Sequence, residues 1–328
     1  MERSVHTRYP CLIALLLASI LSSIDSDSSR AAEASDIRNG GNRAPVTRNP
    51  QPATRSRFTF DASSAAAAAP VAPEQQAALD RMNGYRRLAG LAPLRLDAAM
   101  NRAAVNHATY YVLNAGDPGL RGMGLHDEQT GKPGYTGATM ADRIHGAGYP
   151  GSWNEGMALL GNPTAAVDSF MTTVHHRLPI LSASNTDTGY GGHTGKRPVD
   201  VFTYGGKAPR PTPPEFVAYP ANGMTGAPTR YTGDETNAAF PGAHYPVGTA
   251  ITLQYTGPGD VALVAAQVSG PDGTPLPLLT RVSYDFITRN VIIVAPQQPL
   301  QPDVRYTVRI DGTRPAGAFT QSWSFVTA

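Results

Sequence analysis

The residues of this chain best suited to chemistry are His126, Glu155 and the adjacent pair His175-His176. A neutral imidazole nitrogen binds a divalent metal ion or takes up a proton near pH 7, and a carboxylate orients the ring or a bound water. These residue types suggest an open metal site or an acid/base site if the fold brings them together. Adjacent helical positions point about 100° apart, so we expect His176 to face the site and His175 to be exposed.

Two predicted helices begin the region that must position these side chains. Apolar residues recur at helical spacing from about Glu74, and Gly90 ends that helix. Asp97 is the expected N-cap of the second helix, whose inward stripe includes His107. We interpret His107 as a packed core histidine. His126 follows in a glycine-rich stretch that favours turns.

The later elements of this region complete a small mixed fold. Residues 153–158 are predicted to form a short strand that carries Glu155. Pro163 begins a third helix, which we expect to end at residues 175–177. Two further strand candidates follow, at residues 188–192 and 199–204. Helices flanking a small sheet place this region in the α+β class, as an α-β-α sandwich.

Helical periodicity disappears in the last third of the chain. Residues 207–214 are proline-rich and predict a stiff, extended linker. Beyond them, short apolar or alternating runs are separated by turn residues, at a spacing typical of a β-sandwich. The sequence therefore predicts a first domain over residues 74–206 and an all-β domain over residues 215–328.

The N-terminal segment has the features of an export signal. A positive start precedes an apolar core too short to span a membrane, and residues 32–34 offer a small-x-small cleavage site. We therefore predict a signal peptide over residues 1–34 and a secreted or cell-envelope protein of bacterial type. Residues 35–73 are rich in Ser, Ala and Pro and predict a disordered spacer. Cys11 is the only cysteine, so the mature protein would contain no disulfide.

The composition excludes some partners. The formal net charge is +2 and only 16% of the residues are charged, so there is no electrostatic basis for nucleic-acid binding. We expect no organic cofactor, no membrane span after cleavage of the signal, and a monomer.

An ordered set of short motifs runs through residues 74–206. In chain order they are Asn83-x-x-Arg86, Leu91-Ala92-Pro93-Leu94, Ala104 to His107, His126, Arg143, Gly148-Tyr149, Glu155, Phe170 in the place of a tryptophan, His176-Arg177 and Gly189-Tyr190-Gly191. In this order they resemble the CAP superfamily of cysteine-rich secretory, antigen 5 and pathogenesis-related proteins, in its bacterial SCP-like branch.

The resemblance implies a fold and a site. The fold is an α-β-α sandwich, and its cleft gathers two histidines that hold a zinc or similar divalent ion in several members. His126 and His176 match these histidines, and Glu155 matches the first acid of the cleft, which orients a ligand.

The chain departs from the family's pattern around both acids. The family's Gly-Glu-Asn order is replaced by residues 154–156, Asn-Glu-Gly. Thr173 stands where the second acid would fall. Asp168 and Glu128 are candidate substitutes, on proximity alone.

The all-β region resembles a bacterial Ig-like domain of the exported type. The signs are residues 219–223 at its start, Tyr245 with Gly248 before a strand, Pro302 before Tyr306, and the closing Trp-Ser-Phe-Val-Thr of residues 323–327. Such domains serve as spacers or adhesive surfaces.

Three functions follow from this reading, and whether the protein is an enzyme stays open. The first, which we favour, is a secreted non-enzymatic binding protein whose cleft takes a divalent metal ion or a small apolar ligand. Its candidate partners are a lipid, a peptide or a cell-wall ligand. The second is a metal-assisted, peptidase-like hydrolase with Glu155 as the general base for water bound at His126 and His176. The third is a cell-envelope adhesive or structural protein acting through residues 215–328.

Overall fold

The computed structural model describes residues 71–207, 211–235, 238–283 and 290–328. The predicted signal peptide and nearly all of the predicted spacer lie outside these ranges. None of the helices within them combines the length and apolarity that a membrane span requires.

The first region is built from five α-helices, one 3₁₀ helix and four strands. The helices are α1 (Pro73–Leu88), α2 (Ala98–Asn114), the 3₁₀ helix Gly122–His126, α3 (Met140–Gly146), α4 (Pro163–Thr172) and α5 (Arg177–Leu181). The strands are β1 (Arg95–Leu96), β2 (Ser152–Ala158), β3 (Asp187–His193) and β4 (Val199–Gly206). They form one sheet in the order β1-β3-β4-β2, parallel between β1 and β3 and antiparallel elsewhere.

Helices cover both faces of this sheet. Along β4, Phe202 and Tyr204 belong to the apolar cluster that contains α1 and α4, whereas Val199 and Val201 pack with α2. Successive strand residues point to opposite faces, so this division assigns one helical layer to each side. The predicted α+β class and α-β-α sandwich are confirmed.

The Gly-Tyr-Gly motif of β3 exists because α2 lies directly against that strand. A Cβ at Gly189 would lie 2.2 Å from the carbonyl carbon of Met100, and one at Gly191 would lie 2.3 Å from the amide nitrogen of Val105. Neither distance is compatible with a side chain. The two glycines therefore set the close helix-sheet spacing.

Asp97 starts α2 as predicted. Its carboxylate accepts hydrogen bonds from the amides of Ala99 at 2.8 Å and Met100 at 3.2 Å, which satisfies two of the amides that a helix start leaves free. Its other oxygen pairs with Lys207 at 2.7 Å. The cap fixes the register of the helix that carries His107.

The prediction that the helix beginning at Pro163 ends at residues 175–177 is wrong. Helix α4 ends at Thr172, and the backbone of Thr173 is extended. Both the amide and the hydroxyl of Thr173 donate to the carbonyl of Phe170, which competes with continuation of the helix. The two histidines therefore lie in a turn between α4 and α5, with His176 at the N-cap position of α5.

In the last third of the chain the described residues form strands and no helix, as their periodicity predicted. Its strands are β5 (Phe216–Tyr219), β6 (Arg230–Tyr231), β7 (Val247–Gly248), β8 (Ile251–Tyr255), β9 (Ala262–Ser269), β10 (Leu278–Ser283), β11 (Val291–Pro296), β12 (Arg305–Arg314) and β13 (Gly317–Val326). They form sheets in the orders β10-β11-β8-β5, β13-β12-β9 and β6-β7. The resemblance of this region to an Ig-like domain stays a prediction.

The first region and the β region share one apolar cluster, which includes Met82 of α1 and Ile251 of β8. Arg177 adds a polar link between them. Its buried guanidinium lies 4.5 Å above the ring of Tyr219 and donates a hydrogen bond to the carbonyl of Ala250. The two regions are therefore packed together and not merely tethered.

Candidate functional site

Three separate segments carry the predicted site residues. His126 ends the 3₁₀ helix, Glu155 lies in the middle of β2, and His176 precedes α5. Their residue exposures are 1%, 5% and 5%, so each must find polar partners inside the protein. The partners of each residue show what it can do chemically.

Glu155 is the centre of a buried charge network. The Nη2 group of Arg143 donates to both carboxylate oxygens of Glu155 at 2.9 Å. Nδ1 of His126 lies 2.9 Å from Oε1 of the same carboxylate. Because an ionised carboxylate only accepts hydrogen bonds, His126 must donate from Nδ1. In the neutral ring this leaves Nε2 of His126 with a free lone pair, the state required of a metal ligand or a base.

The pKa of Glu155 is set by opposing effects. Burial alone would raise it, but the positive charges of Arg143 and His107 and the hydrogen bond from His126 outweigh burial. The pKa of this carboxyl is therefore held well below its ordinary value of 4.5. Glu155 is an anion throughout the physiological range.

His107 lies behind Glu155 and has a polar role that its place on the apolar stripe did not predict. It is fully buried, as expected. Its Nδ1 lies 2.9 Å from Oε1 of Glu128, its Nε2 lies 2.9 Å from the carbonyl oxygen of Leu125, and Glu155 is 3.7 Å away. Both ring nitrogens face acceptors, so the ring donates from both and carries a positive charge.

The other side of the site depends on Glu235, which lies in the β region. Its carboxylate accepts hydrogen bonds from the amide of Val174 at 2.9 Å, the amide of His175 at 2.6 Å and the hydroxyl of Tyr231 at 2.7 Å. Its Oε1 lies 3.5 Å from Nδ1 of His176. A buried carboxylate from outside the first region therefore faces the second histidine of the site.

The prediction that His175 is exposed is wrong. Its exposure is 8%, and its Nδ1 lies 3.4 Å from Oε1 of Glu235. The expectation assumed helical geometry, whereas the two histidines lie in a turn that wraps around the carboxylate. His176 stacks on Phe170, with ring centroids 5.2 Å apart and planes 23° from parallel.

Electrostatics hold His176 and Glu235 in complementary states. Burial lowers the pKa of His176 and outweighs the attraction of Glu235, and the proximity of two other imidazoles, His126 and His175, lowers it further. Burial would raise the pKa of Glu235, but the two adjacent histidines outweigh burial and hold it well below its ordinary range. A neutral ring thus lies beside an ionised carboxylate.

The candidate substitutes for the second acid have different fates. Glu128 lies in the buried network and also accepts hydrogen bonds from the amides of Thr136 and Gly137. Asp168 lies outside the site, where its half-exposed carboxylate pairs with Arg81 and Tyr85. Glu235 was missed, because nothing in the sequence links this residue to a turn 60 positions earlier.

The site residues offer two histidine nitrogens to a metal ion, and their carboxylates are occupied by other partners. His126 and His176 each direct Nδ1 toward a carboxylate, which suits the opposite nitrogen for a metal ion. Glu155 is engaged by Arg143, and Glu235 by backbone amides. Within the described ranges, no group of three or more His, Cys, Asp or Glu side chains is arranged to hold a metal ion.

Comparison with known proteins places this region in a family. Residues 79–204 match the family model described as CAP, the cysteine-rich secretory protein family. A search of the curated proteins found no match.

Three solved structures are similar to part of the chain. An extracellular protein containing an SCP domain from Bacillus anthracis str. Ames is 20% identical, over 42% of this chain and 45% of that one, with a TM-score of 0.33. An outer surface protein from Borrelia burgdorferi is 15% identical, over 39% and 89%, with a TM-score of 0.33. Venom allergen-like protein 4 from Schistosoma mansoni is 12% identical, over 44% and 98%, with a TM-score of 0.29. The match spans less than half of the length of the Bacillus anthracis protein.

From the family model and the observed α-β-α fold, residues 79–204 are a domain of the CAP, or cysteine-rich secretory protein, family.

Proposed function

We propose that this protein is a non-enzymatic binding protein that takes up a divalent metal ion, with zinc as the first candidate, at His126 and His176. The observation that carries the proposal is the shared arrangement of these two rings. Each turns Nδ1 toward a buried carboxylate, Glu155 at 2.9 Å for one and Glu235 at 3.5 Å for the other. Carboxylates placed in this way raise the basicity of a histidine ligand and hold its orientation.

The charged surroundings favour an ion over a small apolar ligand. Arg143, His107, Glu128 and Glu155 lie next to one another behind His126, all of them buried. An apolar molecule placed against such groups would offer them neither a hydrogen bond nor a compensating charge. A bound metal ion would supply a positive charge and coordination positions open to water or a further ligand.

The partners of Glu155 weigh against the hydrolase reading. A general base works best with a pKa near the operating pH, and it needs a free oxygen directed at water. Both oxygens of Glu155 accept hydrogen bonds from Arg143, and its pKa lies well below its ordinary range. This carboxylate therefore suits an orienting role.

Isothermal titration of the metal-free protein with Zn²⁺ tests the proposal. We expect His126→Ala and His176→Ala each to weaken binding by about 100-fold or more, because each removes a ligand and not merely one of its outer partners. His145→Ala is the matched control, since His145 is exposed on α3 and should leave the affinity unchanged. Equal zinc affinity in the wild type and both site variants, with folding verified by circular dichroism, would refute the proposal.

We also propose that the protein is secreted, on the strength of its N-terminal sequence. Expression in a bacterial host should yield a chain that begins after residue 34 and is found outside the cytoplasm. Mass spectrometry of the intact protein checks this. An uncleaved chain retained in the cytoplasm would contradict it.

A further inference from the structure

We infer that Glu235 is a positioning residue that completes the candidate site of the CAP domain from outside that domain, by holding His176 with its Nε2 free to bind. The inference rests on the proposed function for the identity of the ligand. Its geometric part, the orientation of His176, stands independently of any metal.

Glu235 fixes the path of the backbone just before His176. The carboxylate of Glu235 accepts from the consecutive amides of Val174 and His175, at 2.9 Å and 2.6 Å. These amides belong to the turn after α4, where no helical partner is available to them. Hydrogen bonds from two successive amides to one carboxylate fix the turn that presents His176.

Glu235 also faces the imidazole ring of His176. Nδ1 of His176 is buried, and among the described residues it has no partner other than Oε1 of Glu235 at 3.5 Å. This distance exceeds that of an optimal hydrogen bond, but a buried N–H facing an acceptor-only oxygen is far more stable than a buried lone pair in the same place. The carboxylate therefore selects the tautomer protonated at Nδ1. Stacking on Phe170 limits rotation of the ring.

Glu235 is itself held in place by its surroundings. Its exposure is 8%, and the hydroxyl of Tyr231 donates to its second oxygen at 2.7 Å. Tyr231 is buried in an apolar cluster that also contains Val174 and Leu178 of the CAP domain. The acid is thus held by a packed contact between the two regions. Thr173, where the family's second acid would fall, instead donates its hydroxyl to Phe170.

The site therefore needs residues on both sides of the linker. Residues 79–204, which match the family model, contain both histidines and Glu155 but lack the carboxylate that faces His176. The β region has a role in binding even if it never touches the ligand.

The experiment combines a spectroscopic measurement with a binding measurement. Long-range ¹H–¹⁵N NMR on the metal-free protein reports which ring nitrogen of His176 carries the proton, and we expect Nδ1–H in the wild type. In Glu235→Gln this preference should be lost, and zinc affinity should fall by about 10- to 100-fold, the usual effect of removing an outer partner of a histidine ligand. Asp234→Asn is the matched control, because it removes an exposed charge from the adjacent position and should change neither readout.

Glu235→Asp separates positioning from folding, since it keeps the charge. If Glu235→Gln folds but loses the Nδ1–H tautomer of His176, we expect Glu235→Asp to restore at least part of the Nδ1–H signal. If Glu235→Gln does not fold, we expect Glu235→Asp to fold and to allow the same measurement. A wild-type His176 protonated mainly at Nε2, or an unchanged tautomer in folded Glu235→Gln, would overturn the inference. If the tautomer behaves as expected but the wild type binds no zinc, the proposed function fails and the orientation by Glu235 stands.

Discussion

Replacement of Glu155 by glutamine is expected to lower the free energy of unfolding at pH 7 by about 3–5 kcal/mol, the usual cost of removing one partner from a buried ion network. The substitution keeps the shape of the side chain but removes the negative charge that lies beside Arg143 and His107, which leaves Glu128 to balance both of these buried groups. Urea unfolding of the wild type and the variant measures the difference.

The pH dependence of this difference provides a sharper test. The pKa of Glu155 is lower in the folded protein than in the unfolded chain, so its stabilising contribution is complete above the unfolded value of 4.5 and is lost as the pH falls below it. Between pH 7 and pH 3 the difference between wild type and variant should therefore shrink by about 2 kcal/mol, since one pKa unit corresponds to about 1.4 kcal/mol. Other acids titrate in both proteins and largely cancel in the comparison.

Glu215→Gln is the control for a carboxylate in an exposed ion pair. Glu215 pairs with Arg314, and its side chain is 47% exposed. Its removal should cost no more than about 1 kcal/mol at any pH. If the two variants lose similar stability at pH 7, or if the Glu155→Gln difference is the same at pH 3, then the buried network does not contribute as described.

The parts of the fold that the sequence predicted are those governed by local rules. Asp97 predicts the start of α2, because a short acceptor side chain at an N-cap satisfies the first free amides of a helix. The alternation in residues 306–310 predicts a strand with one buried face, and β12 has that pattern. Such signals depend on neighbours within a few positions, so a single sequence contains them.

The candidate site could be predicted only in part from such local signals. The ordered motifs identified His126 and Glu155, and the structure brings them within hydrogen-bonding distance. The partner of His176 could not be predicted, because it depends on the packing of two regions that are distant from each other in the sequence. The burial of His175 was missed for a related reason, since the helix ends three residues earlier than its apolar pattern suggested.

Arg86 is a buried arginine whose hydrogen bonds connect two segments of the CAP domain. This arginine, the last residue of Asn83-x-x-Arg86, is 1% exposed and lies far from His126 and Glu155 in the chain. Its guanidinium donates only to backbone carbonyls, those of Ala92, Ile180, Ser182 and Asn185. Burial lowers its pKa to about 10, so it is still charged at neutral pH. Arg86 thus ties the loop after α1 to the segment that follows α5.

We therefore expect Arg86→Met to be among the most destabilising single changes in the CAP domain. Methionine fills most of the volume, but four carbonyl groups lose the hydrogen bond from the guanidinium at once, and of these the Ser182 carbonyl keeps a second donor, the amide of Asn185 at 3.3 Å. Each buried polar group left unpaired costs about 1–3 kcal/mol, and water entering the loops recovers part of this, which leaves a loss of at least about 4 kcal/mol. Urea unfolding at pH 7 measures this loss.

Arg87→Met makes the same chemical change one position along α1, where the side chain is exposed, and should alter stability by no more than about 0.5 kcal/mol. Arg86→Lys distinguishes charge from geometry, because a lysine ammonium keeps the charge but has three donors on one atom and cannot reach carbonyls that are spread around a planar fork. We expect it to lose most of the stability lost in Arg86→Met. A lysine variant as stable as the wild type would mean that a buried positive charge alone is enough for stability at this position. The four hydrogen bonds from Arg86 would then not be what holds the two loops together.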